Sequence, residues 1–150
     1  MTTVSLSSTT PFEGALRDAG LRVTAPRLAV LEVLTSSPHS DTETVIALVR
    51  ERLGAVSPQA VYNVLAALVE AGLVRRIEPA FSPALYEVRV GDNHHHVVCR
   101  RCLVTVDVDC VVGRRPCLTP SDAHGFGVDE AEVTFWGLCP DCQQRKEVKP

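Results

Sequence analysis

Two CxxC knuckles constrain this chain more than any other feature: Cys99-Arg100-Arg101-Cys102 and Cys139-Pro140-Asp141-Cys142. Knuckles of this kind, separated by a long gap, offer four thiolates in the tetrahedral arrangement that zinc prefers. Such a site is closed and structural, and its binding free energy is folding free energy. The same spacing would also serve two redox pairs or a disulfide framework. The chain begins MTTVSLSSTTPF, which is polar and lacks both a basic stretch and an apolar core, so no secretory signal is expected. In the reducing cytoplasm expected for it, paired cysteines favour metal. No apolar run approaches membrane length, so no membrane partner is expected.

The composition is globular, with 45% hydrophobic and 22% charged residues. Aromatic residues make up only 5%, so any core must be built from Val, Leu, Ala and Ile. A length of 150 residues suits one ordinary domain or two small ones. A small unit with such a core benefits from a structural metal. The net charge of −3 does not advertise nucleic-acid binding, but a contact face is local and the total charge does not decide it.

The N-terminal half reads as short helices followed by a hairpin. Met1 to Thr10 is a Ser/Thr-rich arm. Phe12 to Ala19 is a helix stopped by Gly20. Thr24 caps a second helix, with Pro26 in its first turn and Leu28, Leu31 and Leu34 as an apolar stripe. Ser40 with Glu43 is a capping-box pattern that opens a third helix, whose apolar face is Ile46, Val49 and Leu53 and which Gly54 closes. The fourth helix runs from its cap Ser57, through Pro58 at the first helical position, to Gly72. It turns Val61, Leu65, Leu68 and Val69 to the core and Gln59, Tyr62, Asn63 and Ala66 away from it. Leu73 to Glu78, with Arg75 and Arg76, and Leu85 to Val88 form two strands around a turn at Pro79 to Ala84. Helices followed by a two-stranded wing is the winged helix-turn-helix order, in which small and amide side chains on the last helix suit a major groove. A helical bundle with an incidental hairpin is the competing reading.

Arg89 to Asn93 reads as a hinge between residues 1–88 and a second unit at 94–150. In the extended stretch that follows, alternation puts His94 and His96 on one face and His95 on the other. Glu87 lies at the end of the wing and Asp107 on the next strand, Leu103 to Asp109, while His39 would come from the other half. Mixed imidazole and carboxylate donors suit Fe2+, Mn2+ or Zn2+. A solvated polar strand is the plainer reading of the three histidines. Cys110 to Gly125 is irregular, and Phe126 to Trp136 holds a further strand. Cys110 and Cys117 remain open as packing thiols, a redox pair or an alternative ligand set, with Arg114 and Arg115 between them able to favour thiolate.

The combination GLRVTAPRLAVLEVL, PHSDTETV, SPQAVYNVLAALVEAGLV, YEV, HHHVVCRRC and the closing CPDC resembles the ferric uptake regulator (Fur) family of metal-dependent repressors over nearly the whole chain. DCVVGRRPC and DEAEVTFWGLCPDC are most similar to the actinobacterial FurA branch, associated with redox-responsive repression of catalase-peroxidase genes. The resemblance implies an α+β protein: an N-terminal winged helix-turn-helix DNA-binding domain and a small C-terminal α/β dimerisation domain. It implies structural Zn2+ at Cys99, Cys102, Cys139 and Cys142. It implies regulatory Fe2+ or Mn2+ at His39, Glu87, His94, His96 and Asp107, where Asp is the residue of peroxide-sensing members. His95 and Glu132 fall at two positions of an accessory metal site, where Asn93 replaces a usual His. Tyr62 matches a DNA-contacting tyrosine, and Arg27, Gln59, Asn63, Arg75 and Arg76 complete the expected contact set; the family usually has Arg at the position of Asn63.

The implied function is a metal-dependent, peroxide-responsive repressor acting as a homodimer on a near-palindromic double-stranded operator. A zinc, nickel or iron uptake regulator is the alternative within the family. Outside it, two His and a carboxylate also make the facial triad of a mononuclear non-haem iron enzyme.

Overall fold

The structure is a computed structural model that describes residues 10–145. The expected loose arm lies outside the described residues except for Thr10, as does the end of the polar tail at 146–150. The chain divides into two compact units, one comprising the described part of Met1–Glu78 with Pro83–Val90, the other Pro79–Ser82 with the described part of Gly91–Pro150.

In the first unit, α1 (Pro11–Asp18) and α2 (Ala25–Ser36) are followed by a two-residue strand, β1 (Ser40–Asp41), then α3 (Thr42–Leu53), α4 (Pro58–Glu70), β2 (Arg75–Ile77) and β3 (Leu85–Glu87). The caps follow local chemistry: Thr24 Oγ1 accepts from the Arg27 N–H at 3.4 Å and Ser57 Oγ from the Ala60 N–H at 3.1 Å. The third helix departs from expectation. Its cap is Asp41, whose carboxylate accepts from the Thr44 N–H at 2.8 Å, and the Ser40–Glu43 capping box does not form. Ser40 is drawn instead into a sheet, opposite Tyr86, and its hydroxyl donates to the Ser37 carbonyl at 2.7 Å.

The sheet order is β1-β3-β2, all antiparallel, so the wing has three strands rather than the two expected. Leu16, Val30, Val33, Leu34, Val45, Val49, Val61, Leu65 and Leu68 are fully or almost fully buried and form an aliphatic core that Tyr86 joins. This is a winged helix, and the core fixes α4 so that its other face is open.

The second unit contains β4 (His94–Cys99), β5 (Thr105–Asp109), β6 (Thr134–Gly137) and the short α5 (Pro140–Gln144). β4 is central, antiparallel to β5 and parallel to β6. The pairs His94–Asp109, His96–Asp107 and Val98–Thr105 lie on one face. His95–Val108 and Val97–Val106 lie on the other, where Phe135 extends the second pair into a row across all three strands. Val106 and Phe135 are each about half exposed, so this row is an uncovered apolar strip.

Candidate metal centres and nucleic-acid face

The two knuckles converge. The sulfurs of Cys99, Cys102, Cys139 and Cys142 all lie within 4.8 Å of one another, with Cys102 and Cys139 at 3.7 Å. Four sulfurs at 2.3 Å around a tetrahedral ion stand about 3.8 Å apart, so the set fits zinc with little movement. Local structure builds each half. Leu103 adopts a left-handed φ of 62°, letting its N–H return to the Cys99 carbonyl at 2.9 Å. Cys139 caps α5, and the Arg101 guanidinium donates to the Cys142 carbonyl at 2.8 Å, tying one knuckle to the other.

The electrostatics ask for a cation. Backbone N–H groups of Cys102 and Cys139 hold the Cys99 thiol down to about 6. Its hydrogen bond with the Cys139 sulfur, burial and the neighbouring Cys102 and Cys99 sulfurs push the Cys142 thiol up to about 12. One thiolate forms readily, and a further negative charge in the same cluster is resisted until a positive ion offsets it.

The first unit carries one pair of hard donors. His39 Nε2 lies 2.9 Å from Glu87 Oε2, and both side chains are largely buried. His39 has a left-handed φ of 59°, a conformation costing a residue with a Cβ about 1–2 kcal/mol. Its N–H donates to the Tyr86 carbonyl at 2.9 Å, so pairing along β3 holds the imidazole against Glu87.

The second unit carries another set. His94 and His96 face the same way, with ring centroids 4.9 Å apart. Asp107 Oδ1 lies 3.3 Å from His96 Nε2 and 3.7 Å from His94 Nε2. Donors bonded at about 2.1 Å to one ion stand roughly 3–3.4 Å apart, so these spacings suit a shared cation. Asp92, read as part of the hinge from sequence, accepts from His94 Nδ1 at 2.6 Å. That bond leaves the Nε2 lone pair turned towards Asp107. An acidic residue two positions before a strand histidine was the only signal for it.

On the opposite face of β4, His95 joins different partners. Its Nε2 lies 3.2 Å from Cys117 Sγ, and Cys110 completes a group whose donor atoms are all within 4.8 Å. Glu132, the expected accessory partner of His95, is not a member of this group. Burial pushes the Cys110 thiol up, but the Gly113 and Val112 N–H groups and Cys117 more than offset it, so the thiol is held below its ordinary range.

On α4, Gln59, Tyr62 and Asn63 are exposed, and the Gln59 amide donates to Asn63 Oδ1 at 2.9 Å. Of the other expected DNA contacts, Arg27 donates to the Arg22 carbonyl at 2.7 Å, Arg76 pairs with Glu78 at 2.6 Å, and Arg75 is half-buried opposite Glu87 in the β2–β3 ladder.

A winged helix, coupled in one chain to a small sheet unit with a four-thiol cluster and imidazole–carboxylate donors, defines a metal-linked DNA-binding regulator. The chain belongs to the ferric uptake regulator family, whose profile matches residues 18–134. Transcriptional regulator FurA of Mycobacterium tuberculosis is 61% identical over 137 residues, covering 91% of this chain and 93% of that protein. Ferric uptake regulation protein 1 of Mycolicibacterium fortuitum is 59% identical over 125 residues, covering 83% of this chain and 78% of that one. Among solved structures, the ferric uptake regulator of Pseudomonas aeruginosa with manganese superposes with a TM-score of 0.66 at 26% identity, over 87% of this chain and 99% of that one. The actinobacterial FurA branch is thereby established, and the chain is a transcriptional regulator rather than an oxygenase-type enzyme. No helix among the described residues is long and apolar enough to cross a membrane.

Proposed function

We propose that this protein is a cytoplasmic, peroxide-responsive repressor, active as a homodimer on a near-palindromic operator and controlling a catalase-peroxidase or related oxidative-stress or iron gene. The observation that carries this reading is that each unit presets its own share of a hard-donor site. His39 and Glu87 are held together on the wing, and His94, His96 and Asp107 on the sheet. Fe2+ or Mn2+ would be held by all five. Residues drawn from both units by one ion restrict the units to one arrangement, and in a dimer that sets the distance between two copies of α4. DNA affinity and metal affinity are then coupled reciprocally. The apolar row Val106–Val97–Phe135 supports dimerisation through the sheet, and the open face of Gln59, Tyr62 and Asn63 supports major-groove contact. Zn2+ at the four cysteines would hold the second unit folded throughout.

Bound Fe2+ would supply the reducing power by which peroxide oxidises a residue beside it. His94 and His96 are the residues placed to suffer that change, because both imidazoles are buried beside Asp107. Losing either as a donor weakens the second unit's hold on the shared arrangement. The test is operator binding by the full-length protein loaded with Fe2+, Mn2+, Zn2+ or Ni2+, before and after peroxide. Loss of binding only in the Fe2+ form, with added oxygen on a peptide containing His94 or His96, is expected. Peroxide-insensitive binding that follows metal supply alone would make the protein a zinc, nickel or iron uptake regulator instead.

A further inference from the structure

We infer that His95, Cys110 and Cys117 form a third metal site, built for a soft, thiophilic cation of the Zn2+ type. The inference goes beyond the regulatory reading and does not depend on it, because the three residues lie on the opposite face of β4 from His94 and His96.

Strand geometry brings the first two donors together. His95 pairs with Val108, and alternation along β5 returns Cys110 to the face of Val108. The Cys110 N–H donates to the Asn93 carbonyl at 3.3 Å, continuing the ladder one step past β5. The third donor comes from a loop fastened to the same strand end. Asn93 Nδ2 donates to the Arg114 carbonyl at 2.8 Å, the Arg115 guanidinium donates to the Asp92 carbonyl, and Arg115 also pairs with Glu130 at 3.8 Å. These contacts bring Cys117 back over His95.

The resulting spacing is that of ligands. A sulfur at 2.3 Å and a nitrogen at 2.0–2.1 Å on one tetrahedral ion stand about 3.6 Å apart. Cys117 Sγ and His95 Nε2 are at 3.2 Å, and the Cys110 donor lies within 4.8 Å of both. His95 is only 5% exposed, which makes a solvated surface imidazole the wrong description. Two thiolates with one imidazole prefer a soft or borderline ion, whereas the His/carboxylate set across the strand prefers a harder one. One strand thus presents two chemically different donor sets, one per face. Three protein donors leave a fourth tetrahedral position for water or another exchangeable ligand.

The test uses full-length protein whose four-cysteine site is already filled with zinc, titrated with Co2+ under anaerobic, reducing conditions. Imidazoles and carboxylates give no sulfur-to-metal charge-transfer absorption, and the other four thiolates are occupied. A near-ultraviolet thiolate band saturating at one Co2+ per chain is therefore expected. It should vanish in Cys110→Ser/Cys117→Ser and require about tenfold more Co2+ in His95→Ala. Retained zinc content and helical circular dichroism show that the variants fold. As a second measurement, Zn2+ should slow alkylation of Cys110 and Cys117 in the wild type. No thiolate band in folded wild-type protein, a band that survives in the double variant, or alkylation indifferent to Zn2+ would each overturn the proposal.

Discussion

Replacing Asp92 with alanine tests how the second unit aims its metal donors. The His94 side chain has no exposed surface, and its Nδ1 donates to the Asp92 carboxylate at 2.6 Å. Removing that acceptor frees the ring to rotate and to place its proton on either nitrogen. Only the tautomer with a bare Nε2 can serve beside Asp107. Loss of such an outer partner costs roughly 10–100-fold in metal affinity. Asp92 is itself 44% exposed, so water can enter where the carboxylate was, and the lower end is expected: about tenfold, or about 1.4 kcal/mol. The assay is Mn2+ titration of zinc-loaded full-length protein, followed by the electron paramagnetic resonance signal of free Mn2+. Asp92→Asn should lose less, because its amide oxygen still accepts from Nδ1. Wild-type affinity in Asp92→Ala would refute the orienting role. Equal losses in the Asn and Ala variants would show that negative charge, not orientation, is what the residue supplies.

Zinc binding to the apoprotein should release about one proton more per chain at pH 5 than at pH 7. Cys99 is already thiolate above about 6 and must be deprotonated by the metal below it, so affinity falls by an added factor of about ten per pH unit under that point. Calorimetry in buffers of different ionisation enthalpy reads the count, and a pH-independent count would remove Cys99 as the early thiolate. Leu68→Ala, at a fully buried site in the helical core, should destabilise the first unit by about 3 kcal/mol in denaturant titration. A loss below 1 kcal/mol would mean that the core collapses around the gap. Tyr62→Ala should weaken operator binding by about 1–3 kcal/mol while leaving zinc content unchanged, because the side chain is 45% exposed on the outer face of α4. Unchanged binding would place the contact elsewhere.

Legibility in the sequence tracks how local the determining physics is. Ser57, Thr24 and the glycines after the helices act on neighbouring backbone, and the helices begin and end where those residues say. The alternation of His94, His95 and His96 is a property of one strand, and it separates their partners as expected. β1 was hidden because two residues have no period. Its pairing with β3 outcompeted a capping box that satisfied every local rule. The same pairing sets His39 beside Glu87, so two of the five hard donors depend on a contact across 48 positions of sequence. The company of His95 was hidden for a related reason. Cys110 to Cys117 has no regular structure, and what returns Cys117 is a group of long-range bonds from Asn93, Asp92 and Glu130 to the loop arginines.

The central strand also explains why four cysteines and three histidines occur so close together. Period-two geometry makes face assignment all-or-none: a slip of one residue in β4 would put His95 beside Asp107 and turn His94 and His96 towards Cys117. Register is therefore the property that the donors most need held. Cys99, a member of the four-thiol cluster, is the last residue of β4; its N–H is bonded to the Val104 carbonyl at 3.0 Å, and it sits opposite Gly137 of β6. Cys139 follows β6 by one residue beyond Leu138, so the cluster ties the ends of two of the three strands together. A cation held by the four sulfurs would lock β4 against β6 at one end and, through the pleat, fix which side chains face which way at the other. With zinc bound, the thiol cluster would do more than make a small aromatic-poor unit foldable. A metal there would be the register pin that keeps hard donors on one face and soft donors on the other.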